Sequence, residues 1–171
     1  MATSFEDALL AEVVRAAQDV RLDVVLVGNA AAALQGAPVT TADFDFFLRD
    51  TPANERKLKL LAERLGTALT RPAAPLSRLV RLIGKPAPID FVFSLSGGLR
   101  FESVRSRSRD VAVSGVTIRV ASLEDVIASK RAAGRPKDLA ALPILEQTAR
   151  VLAEMHPERP REKPPVGRRR R

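Results

Sequence analysis

Residues 24–48 read VVLVGNAAAALQGAPVTTADFDFFL. Four apolar residues, Val24 to Val27, end at Gly28, and an alanine-rich segment from Asn29 to Gln35 comes next, with Gly36 behind it. A short apolar run closed by glycine reads as a buried strand, alanine favours helix, and a glycine just past a helix supplies the left-handed residue that ends it. The stretch is therefore a strand, a sharp turn and a helix. Glycine at the turn lets a ligand approach the first free N–H groups of that helix. Those groups and the helix dipole favour an anion such as a triphosphate.

Strand–glycine–helix turns are common, and the acidic strand behind this one sharpens the reading. In Asp43-Phe44-Asp45 the two carboxylates sit two residues apart, so on a strand they share one face while Phe44 and Phe46 take the other. Two carboxylates this close repel unless a cation lies between them, and magnesium prefers such hard oxygen ligands. A solvated strand face is the plainer alternative, but Phe44, Phe46, Phe47 and Leu48 are residues of a buried strand. A third acid, Asp90, stands inside the equally apolar run Ile89-Asp90-Phe91-Val92-Phe93. Burying it without a partner is costly. If its strand lies beside Phe44–Leu48, Asp90 completes a three-carboxylate cluster suited to two-metal phosphoryl chemistry.

Outward from this centre, Ser4 and Asp7 form a capping pair for a helix running to Val20, striped by Leu9, Leu10, Val13, Val14 and Ala17. Thr51-Pro52 opens a helix that reaches Leu65 and stops at Gly66. Residues 78–83 and 89–93 read as strands joined by Gly84-Lys85-Pro86. Residues 109–113 and 116–120 bracket Ser114-Gly115, a two-residue hairpin turn. Ser122 with Asp125 starts a helix to about Ala133, and a last helix spans about Lys137 to Met155. Asp138 is placed as an N-terminal cap for it. This order implies an α+β domain around one mixed β-sheet flanked by helices.

With 171 residues the chain is long enough for one domain, assigned to 1–156, and a tail, 157–171. The tail holds seven Lys/Arg and two Glu, a net +5 of the chain's +8, and ends in Arg168-Arg169-Arg170-Arg171. Its prolines and like charges predict disorder. Two readings of it stand side by side, a solubilising end and a contact for phosphate backbones. No apolar run is long enough to cross a bilayer and no basic-then-apolar leader is present, so no membrane association is expected. The absence of cysteine removes disulfides and thiolate zinc sites and fits a cytoplasmic setting. His156, the only histidine, reads as a surface residue without a catalytic part. Lacking Trp and Tyr, the chain also has few stacking platforms for single-stranded nucleic acid.

The pattern of Gly28-Asn29, Thr41-Ala42-Asp43-Phe44-Asp45 and the lone Asp90 resembles the nucleotidyltransferase superfamily of the DNA polymerase β type. It is nearest to the small bacterial branch that includes abortive-infection type toxins. A second block, Ala121 to Lys130 and then Gly134-Arg135-Pro136-Lys137-Asp138, is similar to that branch as well, and the resemblance covers roughly residues 24 to 145. It implies a nucleotidyltransferase-like fold, a nucleoside triphosphate bound at Gly28, Asn29, Thr41 and Lys130, and two magnesium ions at Asp43, Asp45 and Asp90. It implies transfer of a nucleoside monophosphate to a hydroxyl, at an RNA or tRNA 3′ end or on a protein, in the setting of a toxin with an antitoxin. A homodimer or another partner is expected to supply surface for a large acceptor. Asn29 stands where the family has Gly or Ser, which leaves a weakly active or inactive nucleotide-binding regulator as the alternative. Lys130 is either a counter-charge to phosphate or a lysine reaching along the surface to water.

Overall fold

Ser4 begins the described chain by pairing two donors that a helix start leaves free. Its hydroxyl accepts the Asp7 amide at 3.1 Å, and the Asp7 carboxylate accepts the Ser4 amide. In this computed structural model, which describes residues 4–72 and 78–155, the helix so capped is α1 (Phe5–Asp19). Its Leu9, Leu10, Val13, Val14 and Ala17 are buried, as the helical period requires. The chain continues through β1 (Val25–Val27), α2 (Gly28–Leu34), β2 (Phe44–Phe47) and α3 (Pro52–Arg64), the last capped by the Thr51 hydroxyl. Next come β3 (Ala68–Thr70), β4 (Leu79–Ile83), β5 (Ile89–Val92) and α4 (Phe101–Arg107). The hairpin β6 (Arg109–Val113) and β7 (Val116–Val120) and the helices α5 (Leu123–Ala133) and α6 (Pro136–Met155) complete it. The expected tail and His156 lie outside the described residues.

The strands form one mixed sheet in the order β3-β4-β5-β2-β1-β7-β6. β2 runs parallel to β5 and β1 parallel to β7, while the remaining neighbours are antiparallel. This is the α+β architecture expected from the order of elements. The four central strands are β5, β2, β1 and β7, and their apolar residues are almost wholly buried. Phe46 and Phe91, partners in the β2–β5 register, stack with ring centres 5.6 Å apart. α1 packs on β6, β7 and α3; α2 packs on β1, β2 and α5, and α5 carries α6. Each fully buried Leu, Ile or Phe here contributes roughly 1.5–3 kcal/mol of transfer free energy.

Two elements were not anticipated. β3 is three residues long, too short for alternation to show, and forms because β4 offers it an edge. α4 buries only Phe101 and Val104 and has no side-chain cap, so its local signal is weak. Phe101 is held edge-on against Phe47, with centres 5.5 Å apart. Asp138 also differs from its expected role. It lies within the first turn of α6, and its carboxylate accepts from Arg135 and Lys130 instead of from backbone N–H groups. Two cationic donors within reach are stronger partners than neutral amides. Among the described residues no helix is long and apolar enough to cross a membrane.

Candidate active site

Gly28 ends β1 and opens α2 with φ +69, a left-handed conformation that residues with a side chain rarely adopt. A Cβ at this position would stand 3.1 Å from Asp45 Oδ2. Glycine is thus required twice, by backbone angle and by the carboxylate that lies against it. Val27, at the cap position of α2, offers no side-chain hydrogen bond. Asp45 is carried by β2, whose register sets it opposite Val27 on one side and Asp90 on the other. Strand alternation turns it to the face opposite Phe44 and Phe46.

Burial is the main cause that pushes the Asp45 carboxyl up from an ordinary 3.8 to about 6. The nearby carboxylates of Asp43 and then Asp90 push the same way, while Lys137 and Arg135 pull against them. A half-buried acid with two like charges beside it is a place where a cation is favoured. Asp43, Asp45 and Asp90 therefore share one field, although Asp43 lies in the bend just ahead of β2 and not on the strand face expected for it.

Asp90 is only 5% exposed and is not free. Arg81 on β4 is its cross-strand partner, and the guanidinium donates through Nε to Oδ1 at 2.7 Å and through Nη2 to Oδ2 at 2.8 Å. This fork raises the Arg81 pKa, first through the hydrogen bond and then through the Asp90 charge. Among the described residues no group of three or more His, Asp or Glu is arranged to hold a metal ion. The donor chemistry nonetheless fits a divalent cation at Asp43 and Asp45, two hard carboxylates whose charges act on one another and on the Arg81 guanidinium. At Asp90 the fit is conditional, because both oxygens already accept from Arg81.

The remaining expected residues each have a place. Asn29 is the second residue of α2; its Nδ2 donates to Thr40 O at 3.1 Å, and its buried Oδ1 has no hydrogen-bond partner among the described residues. The amide so braces the loop leading to β2. Thr41 Oγ1 donates to Asp43 O at 2.7 Å, which fixes the backbone just ahead of the acidic strand. Lys130, on α5, donates to Asp138 Oδ1 at 3.1 Å, and Arg135 donates to Oδ2 of the same carboxylate at 2.5 Å. Burial pushes Asp138 up, but these hydrogen bonds from Arg135 and Lys130 outweigh it and hold its carboxyl below the ordinary range. Gly28, Asn29, Thr41, Asp43, Asp45 and Asp90 gather at one end of the central strands, while Lys130 sits in an ion-paired cluster at the α5–α6 junction.

Sequence reasoning missed Arg81, and a signal for it exists. In Leu79-Val80-Arg81-Leu82 the arginine breaks an apolar strand, and counting back across the Gly84-Lys85-Pro86 turn sets it opposite Asp90. The influence of Arg135 and Lys137 on Asp45 had no such signal, because it depends on how α6 is set against the sheet.

A family model described as "Nucleotidyl transferase of unknown function (DUF2204)" matches residues 6–158. No curated protein sequence matches the chain. Among solved structures, ANT(2")-Ia in complex with adenylyl-2"-tobramycin superposes with a TM-score of 0.61 at 15% identity, covering 89% of this chain and 97% of that one. The lincosamide antibiotic adenylyltransferase LnuA, lincomycin-bound, gives 0.58 at 10% identity, with 86% and 99% covered. A Thermotoga maritima protein described as a nucleotidyltransferase gives 0.56 at 17% identity, with 86% and 92% covered. At these identities the likeness is one of fold.

Proposed function

The chain belongs to the nucleotidyl transferase family of unknown function, and on that premise we propose that it transfers a nucleoside monophosphate from a nucleoside triphosphate to a hydroxyl acceptor, releasing pyrophosphate. The observation that carries the reading is the Asp45 carboxyl, raised to about 6 by burial and by Asp43 and Asp90, and set against the glycine that opens α2. A polar site so concentrated in negative charge is suited to a cation-neutralised polyanion.

In this reading Asp43 and Asp45 hold magnesium, and Asp90 contributes to a second ion. Bound there, magnesium neutralises the triphosphate and makes its α-phosphorus more open to attack. Gly28 allows the phosphates to approach the backbone, and Asn29 and Thr41 fix the loop that positions Asp43. Asp90 accepts the proton of the attacking hydroxyl once an oxygen is free. Lys130, Arg135 and Lys137 supply positive potential towards the leaving pyrophosphate.

The acceptor is argued from two kinds of likeness. The abortive-infection branch suggests an RNA or tRNA 3′ end or a protein side chain, in a toxin–antitoxin pair. A small hydroxylated acceptor is favoured by a different observation: this chain covers 97% and 99% of two proteins whose names tie them to antibiotics. A domain of that size has little surface left over for a large acceptor.

The test is incubation with each α-labelled triphosphate and magnesium, in separate arms with total RNA, total protein, or aminoglycosides and lincosamides. Label on one acceptor class identifies the reaction. Triphosphate with magnesium is also expected to raise Tm by mass action, and Asp43→Asn with Asp45→Asn to abolish that shift while leaving the fold intact. A double variant that responds like the parent removes these residues from the site. A Tm shift without label on any acceptor favours the regulatory, non-catalytic alternative.

A further inference from the structure

Arg81 has no role in the proposed transfer, yet its guanidinium engages both oxygens of Asp90. We propose that Arg81 is a positioning residue that withholds Asp90 from cation binding, so that the nucleotide-free site takes one divalent cation at Asp43 and Asp45 and gains a second only when nucleotide draws the guanidinium away. The inference deepens the proposed function and rests on it.

The geometry carries the argument. Arg81 and Asp90 are register partners on adjacent antiparallel strands, so the pairing is built into the sheet. The fork engages both carboxylate oxygens at 2.7 and 2.8 Å, and the Asp90 side chain is nearly inaccessible while that of Arg81 is 43% exposed. Asp90 cannot turn elsewhere for a partner, whereas the guanidinium has a way out to solvent. A magnesium ion needs carboxylate oxygen at about 2.0–2.1 Å in near-octahedral geometry. A guanidinium across both oxygens occupies in-plane positions and adds a repelling unit charge a few ångströms from the ion.

Asp43 and Asp45 are each half-buried and carry no such fork among the described residues, which leaves their oxygens for a first cation. Release of Arg81 needs a competing anion of matching shape. Phosphate oxygens accept a guanidinium in the same two-pronged way, and a triphosphate brings several. The nucleotide thus supplies both the stimulus that frees Asp90 and the negative charge that draws the second ion.

Manganese titration, with free Mn2+ read by electron paramagnetic resonance, tests this without any turnover. The full chain is titrated alone and with a non-hydrolysable triphosphate analogue, alongside Arg81→Gln and the double variant Arg81→Gln/Asp90→Asn. The parent is expected to bind one Mn2+ per chain alone and two with the analogue. Arg81→Gln is expected to bind two without the analogue, the second roughly tenfold tighter than in the parent, as removal of a unit charge at short range implies. Adding Asp90→Asn should return it to one. A parent that binds two without nucleotide, or an Arg81→Gln chain that binds like the parent, overturns the proposal. If neither protein binds Mn2+ even with the analogue, the reading of Asp43 and Asp45 fails first. Should Arg81→Gln not fold, Arg81→Lys decides, since an ammonium cannot span both oxygens; an unchanged second-site affinity there is equally fatal.

Discussion

Asp45 shows how a single side chain couples burial to function. Its neutral form is favoured in the folded chain, because burial comes first among the causes and Asp43 and Asp90 add to it. Its folded pKa of about 6 lies above the 3.8 of the unfolded chain. Stability from this group is therefore fully present below about 3.8 and is lost as pH rises through about 6. In buffer with a chelator, Asp45→Asn should match the parent near pH 4 and become the more stable protein above pH 6. The gap should level at no more than about 3 kcal/mol, the free energy that separates a carboxyl of pKa 3.8 from one of about 6. Urea melts at a series of pH values measure it directly. A gap that stays constant with pH would mean that Asp45 feels no such field. Gly28 is the companion case: Gly28→Ala places a Cβ against Asp45 Oδ2 on a backbone with φ +69, so it should destabilise the fold and blunt the Tm response to nucleotide with magnesium.

Among the elements, α5 links the fold to the ion-paired cluster at its end. Ser122 caps it through a 3.2 Å bond from the Asp125 amide, while the Asp125 carboxylate accepts a fork from Arg107 instead of returning to Ser122. Loss of a serine cap costs about 1 kcal/mol. Ser122→Ala should therefore lower the unfolding free energy by that amount, seen as a lower urea midpoint with an unchanged slope, because the surface exposed on unfolding is the same. A normal midpoint would show that Arg107 alone holds the helix start. The hairpin β6–β7 makes the matching point about turns. Ser114 and Gly115 both have positive φ, 49 and 76, as a two-residue turn between twisted strands demands.

For the whole molecule, α6 closes the described fold at Met155, and every described strand and helix lies at or before that residue. We therefore expect a chain truncated after Met155 to fold and to keep its nucleotide-dependent stabilisation. It also loses seven basic and two acidic residues. Its affinity for RNA or another polyanion should fall, most steeply at low salt, because counterion release sets the strength of such contacts. Binding measured across a salt series checks this. An affinity unchanged at every salt concentration would make the basic end silent in binding, and loss of nucleotide stabilisation would place it within the domain.

Much of this protein was readable from local pattern, because local pattern is what short-range physics acts on. Ser4, Thr51 and Ser122 announce helices by the donors they satisfy; Gly28 and Ser114-Gly115 announce turns by the backbone angles they permit. Asp43, Asp45 and Asp90 stand out because a charge inside an apolar strand needs a reason. β3 and α4 left little trace, since a three-residue strand and a seven-residue helix draw their stability from the elements they lie against. The sequence by itself thus determined the α+β class, the caps and turns, and which acids stand out as candidates for the chemistry. Only the tertiary structure decided that β5 lies parallel to β2, so that Asp90 meets Asp45, and that β4 brings Arg81 across Asp90. It also decided that Lys130 faces Asp138 and that Arg135 and Lys137 oppose the charges around Asp45. The physical reason is range: caps and turns act over a few bonds, whereas strand order and ion pairing join residues that the chain alone keeps far apart.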